Sequence, residues 1–215
     1  MLSNKHAFAT ALAAATMALA VTGDAFAQAR TGGATAGAAA AKTSGVVLKV
    51  RQLTKPNNSC LVPSPRFDGG VKGPSRSSGT RKRWAALEVE YTTLPDWIDS
   101  ATFTFHVMSV DDEKNFHYFT TSVTYLDIAK GDHGACVMLA PSTVQRYGTP
   151  MAFGVEIEID GKQVAQESEG QGKGGPWWTR LDGGKMKVER HAGYLLDRSK
   201  TPFGLTHIDE YEAVR

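Results

Sequence analysis

From Trp84 to Ile128 the chain alternates apolar and polar residues with a period of two. Leu87, Val89 and Tyr91 interleave with Glu88, Glu90 and Thr92, and Phe103, Phe105 and Val107 interleave with Thr102, Thr104 and His106. Successive side chains of an extended chain point to opposite faces, so this pattern predicts three strands with one dry and one wet face. Turns fall at Leu94–Asp99 and at Asp111–Asn115. The same alternation predicts a strand over Val46–Thr54, a short one within Gly131–Pro141, and a clear one over Met151–Ile159, with Met151, Phe153, Val155, Ile157 and Ile159 inward. Asp160-Gly161 suits a tight hairpin turn that needs positive φ. Lys162–Ser168 then returns as a polar strand, whose charges suit a sheet edge. Pro141–Tyr147, closed by Gly148, reads as a single helical turn.

Helical periodicity is otherwise nearly absent. About seven strands at regular spacing predict an all-β fold, an immunoglobulin-like antiparallel β-sandwich over residues 46–168 with a C-terminal extension over 169–215. The Cys…Trp…Cys spacing of antibody domains is lacking, so only the architecture is implied. Two stretches break the pattern. Lys55–Arg83 is rich in proline and glycine and reads as a long surface excursion ending in a basic, serine-rich segment, Ser75–Arg83. Glu169–Pro176 is glycine-rich and precedes Trp177-Trp178, a hairpin expected around Asp182-Gly183-Gly184, and an aromatic, arginine-bearing tail.

The N-terminus changes the setting. Lys5 and His6 precede an apolar run, and Ala25-Phe26-Ala27 has the small-x-small form a signal peptidase cuts. The run is roughly 15 residues, short of the ~20 that span a bilayer. Residues 1–27 are therefore expected to be a signal peptide and residues 28–45 a small-residue linker, with no transmembrane segment in the mature chain and an exported location. The net charge of +2 is too near neutral to predict nucleic acid or an anionic membrane as a partner, and no nucleic acid is expected. In an oxidising compartment the two cysteines, Cys60 and Cys136, are expected to form one disulfide, worth roughly 4–5 kcal/mol by loop closure; two buried free thiols are the alternative.

Candidate chemistry is sparse. His106 and His117 flank one hairpin turn, but no further ligand stands at metal spacing, so no metal site is expected. Asp111-Asp112-Glu113 lacks the ligand spacing of a calcium loop. Gly170–Gly175 lacks the Gly-Lys-Ser/Thr and following helix of a phosphate loop, and no nucleophile elbow exists. No catalytic residue and no cofactor is expected. Exposed aromatics are the better candidates, because protein interfaces concentrate their energy on Trp, Tyr and Arg. Trp177 and Trp178 form one candidate patch, and Arg198, Thr201, Pro202, Phe203 and Tyr211 a second. The 169–215 hairpin and tail are expected to dock on the sandwich. The tail and the edge strand Lys162–Ser168 are expected to offer contact surfaces to a protein partner or to a second copy of the chain, with removal of Gly193–Arg215 abolishing assembly while leaving the sandwich folded. A carbohydrate-binding module, with the paired tryptophans stacking on a mucin-type glycan, is the alternative.

The segments WAALEVEYTTLPDWIDSATFTFHV, EIDGKQVA and LLDRSKTPFGLTHIDEYE resemble a family of secreted pilus-like proteins of Akkermansia and related Verrucomicrobia. The resemblance spans roughly Val46–Glu212. It implies an immunoglobulin-like fold, a setting beside type IV pilus and secretin components, protein partners in a pilus or cell-surface assembly, and no catalysis. One feature departs from a type IV pilin. The expected cut falls after the hydrophobic segment, at Ala27, so that segment is lost rather than kept as a filament core.

Overall fold

A computed structural model describes residues 47–65, 82–170, 175–181, 187–207 and 211–215. The expected signal peptide, the linker, most of the basic segment and the hairpin around Asp182-Gly183-Gly184 lie outside the described residues. Two sheets form a sandwich. One contains β1 (Val47–Leu53), β2 (Leu61–Pro63), β3 (Arg83–Leu94), β6 (Gly131–Leu139) and β10 (Leu195–Asp197). The other contains β4 (Ile98–Val110), β5 (Phe116–Ile128), β7 (Pro150–Ile159), β8 (Lys162–Gly170), β9 (Val188–Ala192) and β11 (Ala213–Val214). The seven strands expected before residue 169 correspond to β1 and β3–β8, and their neighbours pair antiparallel. As expected of an edge, β8 pairs only with β7.

The core is built by the alternating positions. Leu87, Val89 and Tyr91 from β3 and Ala135, Val137 and Leu139 from β6 face Phe103, Phe105, Val107, Phe119, Phe153, Val155 and Ile157 from the opposite sheet, all fully buried. Full burial of each large apolar side chain contributes about 1.5–3 kcal/mol, which is why a period-two pattern suffices to specify the inner faces. Between β6 and β7 the chain forms α1 (Pro141–Tyr147), with proline in its first turn. Gly148 ends it at φ +83, where any Cβ would run into the backbone carbonyl of Val110. Ser109 Oγ donates to the Tyr147 carbonyl at 2.5 Å, fixing α1 against the end of β4.

A second, smaller apolar cluster lies on the outer face of the six-stranded sheet. It joins Met108, Tyr118 and Ala152 to Trp177 and Trp178, with Met151 packed against it rather than in the main core. The outer face expected to be wet is therefore partly roofed. Gly154 forms the floor beneath Trp178.

Candidate functional site

The tail after residue 192 is woven into both sheets. Strand β10 extends the first sheet by pairing with β6, Tyr211 bridges to Gly134, and β11 pairs with β5 in the second sheet. Asp197 accepts from Ser199 N at 2.8 Å, and Thr201 Oγ1 donates to the Arg198 carbonyl at 2.7 Å, so two short 3-10 turns follow without long-range help. Arg198 lies 8% exposed with its guanidinium 3.8 Å from the Tyr211 ring centre, and the Tyr211 hydroxyl donates to Glu88 Oε1 at 3.1 Å. Thr201 is buried over Met138, and Phe203 meets Trp84 edge-on at 6.0 Å between ring centres. Only Pro202 of these candidates is exposed. Arg198, Thr201, Phe203 and Tyr211 thus spend their aromatic and cationic surface on the protein's own sandwich. This corrects the expectation that these side chains are presented to a partner: they lie against the sandwich and cover the Cys136–Met138 face of β6.

Trp177 and Trp178 form a 3-10 turn and are 5% and 7% exposed. The Trp178 ring stacks on His106, 4.4 Å between centres and 7° from parallel, and its Nε1 donates to Glu156 Oε1 at 2.7 Å. Trp177 stands perpendicular to it, edge-on to Tyr118. The pair is a lid, and the exposed stacking platform expected for a glycan is not formed. Beneath it, His106 Nδ1 lies 2.7 Å from the Tyr118 hydroxyl and Nε2 lies 3.8 Å from Glu156 Oε2. Burial pulls the His106 pKa down to about 4, with Glu156 opposing.

The two hairpin histidines do not meet. His106 pairs with Thr120, and His117 with Ser109. His117 shares the inward face with Phe119, at the rim of the core against Tyr147, and contacts Asp111, Glu189 and His191. Among the described residues, His117, Glu189 and His191 are the group whose ligand atoms lie close enough together to hold a cation.

The disulfide expected between Cys60 and Cys136 is corrected too: both are buried free thiols. Cys60 belongs to the core between the sheets, whereas Cys136 alternates with Ala135 and Val137 and faces outward, opposite Glu88 and under the tail. The sheet itself separates the two sulfurs. Burial pushes the Cys136 thiol up to about 12 and raises Cys60 as well, so neither is a ready nucleophile.

The exposed apolar surface lies elsewhere. Trp97 is 65% exposed in the turn between β3 and β4. At the same end, Leu94 and Val47 are register partners and are 54% and 60% exposed. Sequence reasoning passed over this group, although a tryptophan inside a Pro-Asp turn, away from the alternating positions, was the available signal.

An all-β sandwich strapped by its own tail, with apolar side chains displayed at one end, is the class of protein these features define. A family model of pilus-associated proteins matches residues 49–215, and the chain belongs to that family. A crystal structure of a pilus-associated protein from Akkermansia muciniphila is similar, with a TM-score of 0.64 and 25% identity, covering 80% of this chain and 94% of that one. No curated protein matches the chain. No helix among the described residues is long and apolar enough to cross a membrane.

Proposed function

We propose that this chain is an exported, non-enzymatic component of a pilus or cell-surface assembly that works through protein–protein contacts at the Val47–Leu94–Trp97 end of the sandwich. Family membership supports the setting. The observation that carries the contact surface is Trp97, which stands 65% exposed in a protein that buries its other described tryptophans largely or wholly. A large aromatic in that position offers the hot-spot chemistry of an interface at little entropic cost. An immunoglobulin-like assignment draws support from connectivity: β1, β3 and β6 share one sheet, β5, β4, β7 and β8 the other, and the chain crosses between them after β3, β5 and β6. The test is cross-linking of the chain in the cells that make it, comparing wild type with Leu94→Ser/Trp97→Ser. The expected result is an adduct with a pilus component that the double variant loses while its melting curve is unchanged. Equal adducts from both, or none from wild type, would overturn the assignment.

A further inference from the structure

Strands β5 and β9 run parallel, with His117 opposite Glu189 and Phe119 opposite His191. Glu189 and His191 are two residues apart on one strand, so they leave the same face and converge on His117. His117 Nδ1 is 3.0 Å from His191 Nε2 and 3.4 Å from Glu189 Oε2, and the latter two atoms are 3.8 Å apart. Four-coordinate zinc with bonds of about 2.0–2.1 Å sets its ligand atoms about 3.3–3.4 Å from one another. The triangle already has that size before any ion enters.

The other nitrogen of His117 strengthens the case. Its Nε2 lies 3.1 Å from Asp111 Oδ2, and Asp111 is itself held by Asn115, through N at 2.8 Å and Nδ2 at 3.0 Å. An ionised carboxylate can only accept, so it places the proton on Nε2 and leaves the Nδ1 lone pair aimed at Glu189 and His191. A carboxylate on the far nitrogen of an imidazole is the arrangement that orients histidine ligands in zinc sites. Three electron-rich atoms then face a common centre, and the single N–H that His191 can turn inward satisfies only one of them. The two histidine side chains are 5% and 9% exposed, while Glu189 is 65% exposed and marks the side from which an ion enters. Arg146, which stacks on Tyr147 beside the site, is a cation the site works against.

We propose that His117 Nδ1, His191 Nε2 and a Glu189 carboxylate oxygen bind one zinc ion, with water in the fourth position and Asp111 as a positioning residue. The ion pins β9 to β5 and so fixes the segment that leads from the Trp177–Trp178 lid into the tail. It binds as neutral imidazoles plus a carboxylate, a set that imidazole-preferring divalent metals share, and three protein ligands leave one site open.

The test is calorimetric titration of zinc chloride into the untagged full chain after chelator treatment and desalting. One zinc per chain is expected, with a rise in melting temperature on binding. His191→Asn should weaken binding at least 100-fold, and Glu189→Gln at least 10-fold. Asp111→Asn should weaken it roughly 10- to 100-fold without touching the metal. Glu189 is exposed, so its variant tests the site without disturbing the core. A wild-type chain that binds no zinc would overturn the proposal. Stoichiometric binding that is unchanged in both Glu189→Gln and His191→Asn would overturn it equally.

Discussion

Replacing Gly154 with alanine tests whether the Trp178 lid depends on a bare patch of sheet. A Cβ at position 154 would lie 2.7 Å from Trp178 Cη2 and 2.8 Å from Cε3, and closer still to Cζ3. Side-chain carbons need about 3.5–4.0 Å, so the indole must lift by roughly an ångström or more. It has little room to do so at no cost. Lifting pulls the ring from its 4.4 Å stack on His106 and its Nε1 from Glu156 Oε1 at 2.7 Å. The stack is worth about 0.5–1.5 kcal/mol and a hydrogen bond to a carboxylate about 1.5–3 kcal/mol. Overpacking of this kind typically costs about 1–3 kcal/mol, and partial loss of those two contacts falls in the same range. We expect Gly154→Ala to destabilise the chain by about 2 kcal/mol in urea unfolding, with a fall in melting temperature of roughly 4–8 °C. The control is the same substitution in a Trp178→Ala background. There the clash is gone, and alanine should be neutral or stabilising by up to about 1 kcal/mol. The coupling between the two positions should therefore exceed about 1 kcal/mol. An identical cost in both backgrounds, or no cost in either, would refute the role of Gly154 as the floor of the lid.

His106 predicts a pH dependence. Its pKa is depressed to about 4 by burial, so the unfolded chain takes up a proton below its ordinary value near 6.5 that the folded chain refuses. Stability from this group is fully present above pH 6.5 and declines as pH falls towards 4, by at most about 1.4 kcal/mol per pH unit. His106→Gln should flatten that slope between pH 6.5 and 4 relative to wild type; parallel curves would refute the assignment. For the cysteines, non-reduced mass spectrometry should find two thiols, with Cys136 labelled by iodoacetamide only after denaturation because it is buried and its pKa is pushed up to about 12. A mass lighter by two hydrogen atoms would restore the bridge.

The inner faces of the sandwich were readable because the interior needs nothing but apolarity at every second position. Leu87, Phe105, Phe153 and Val155 state that requirement on their own, and nothing distant alters it. The outer face of the six-stranded sheet obeys no such local rule. His106 and Glu156 look like residues chosen for water, yet both are ligands of an indole that arrives from 22 residues beyond Glu156. Polarity at a strand position says that the side chain needs partners; it does not say whether the partner is solvent. The five residues of β9, VERHA, carry too few apolar positions to predict a strand, and their parallel partner lies over 70 residues away. That distance hides the His117–Glu189–His191 group, because its ligands are neighbours across a sheet and not at metal spacing along the chain. Cys136 was half readable: its place between Ala135 and Val137 already assigned it to the outward face, while the face of Cys60 depended on a 3-10 turn with no periodicity to report it. The tail shows the same division from the other side. Its aromatics and arginine mark surface that needs covering, and the sandwich itself covers it, through Arg198 on Tyr211 and Phe203 on Trp84. Once those residues are committed inward, the search for a partner surface moves to the apolar side chains that no part of the described chain buries, and Trp97 is the largest of them.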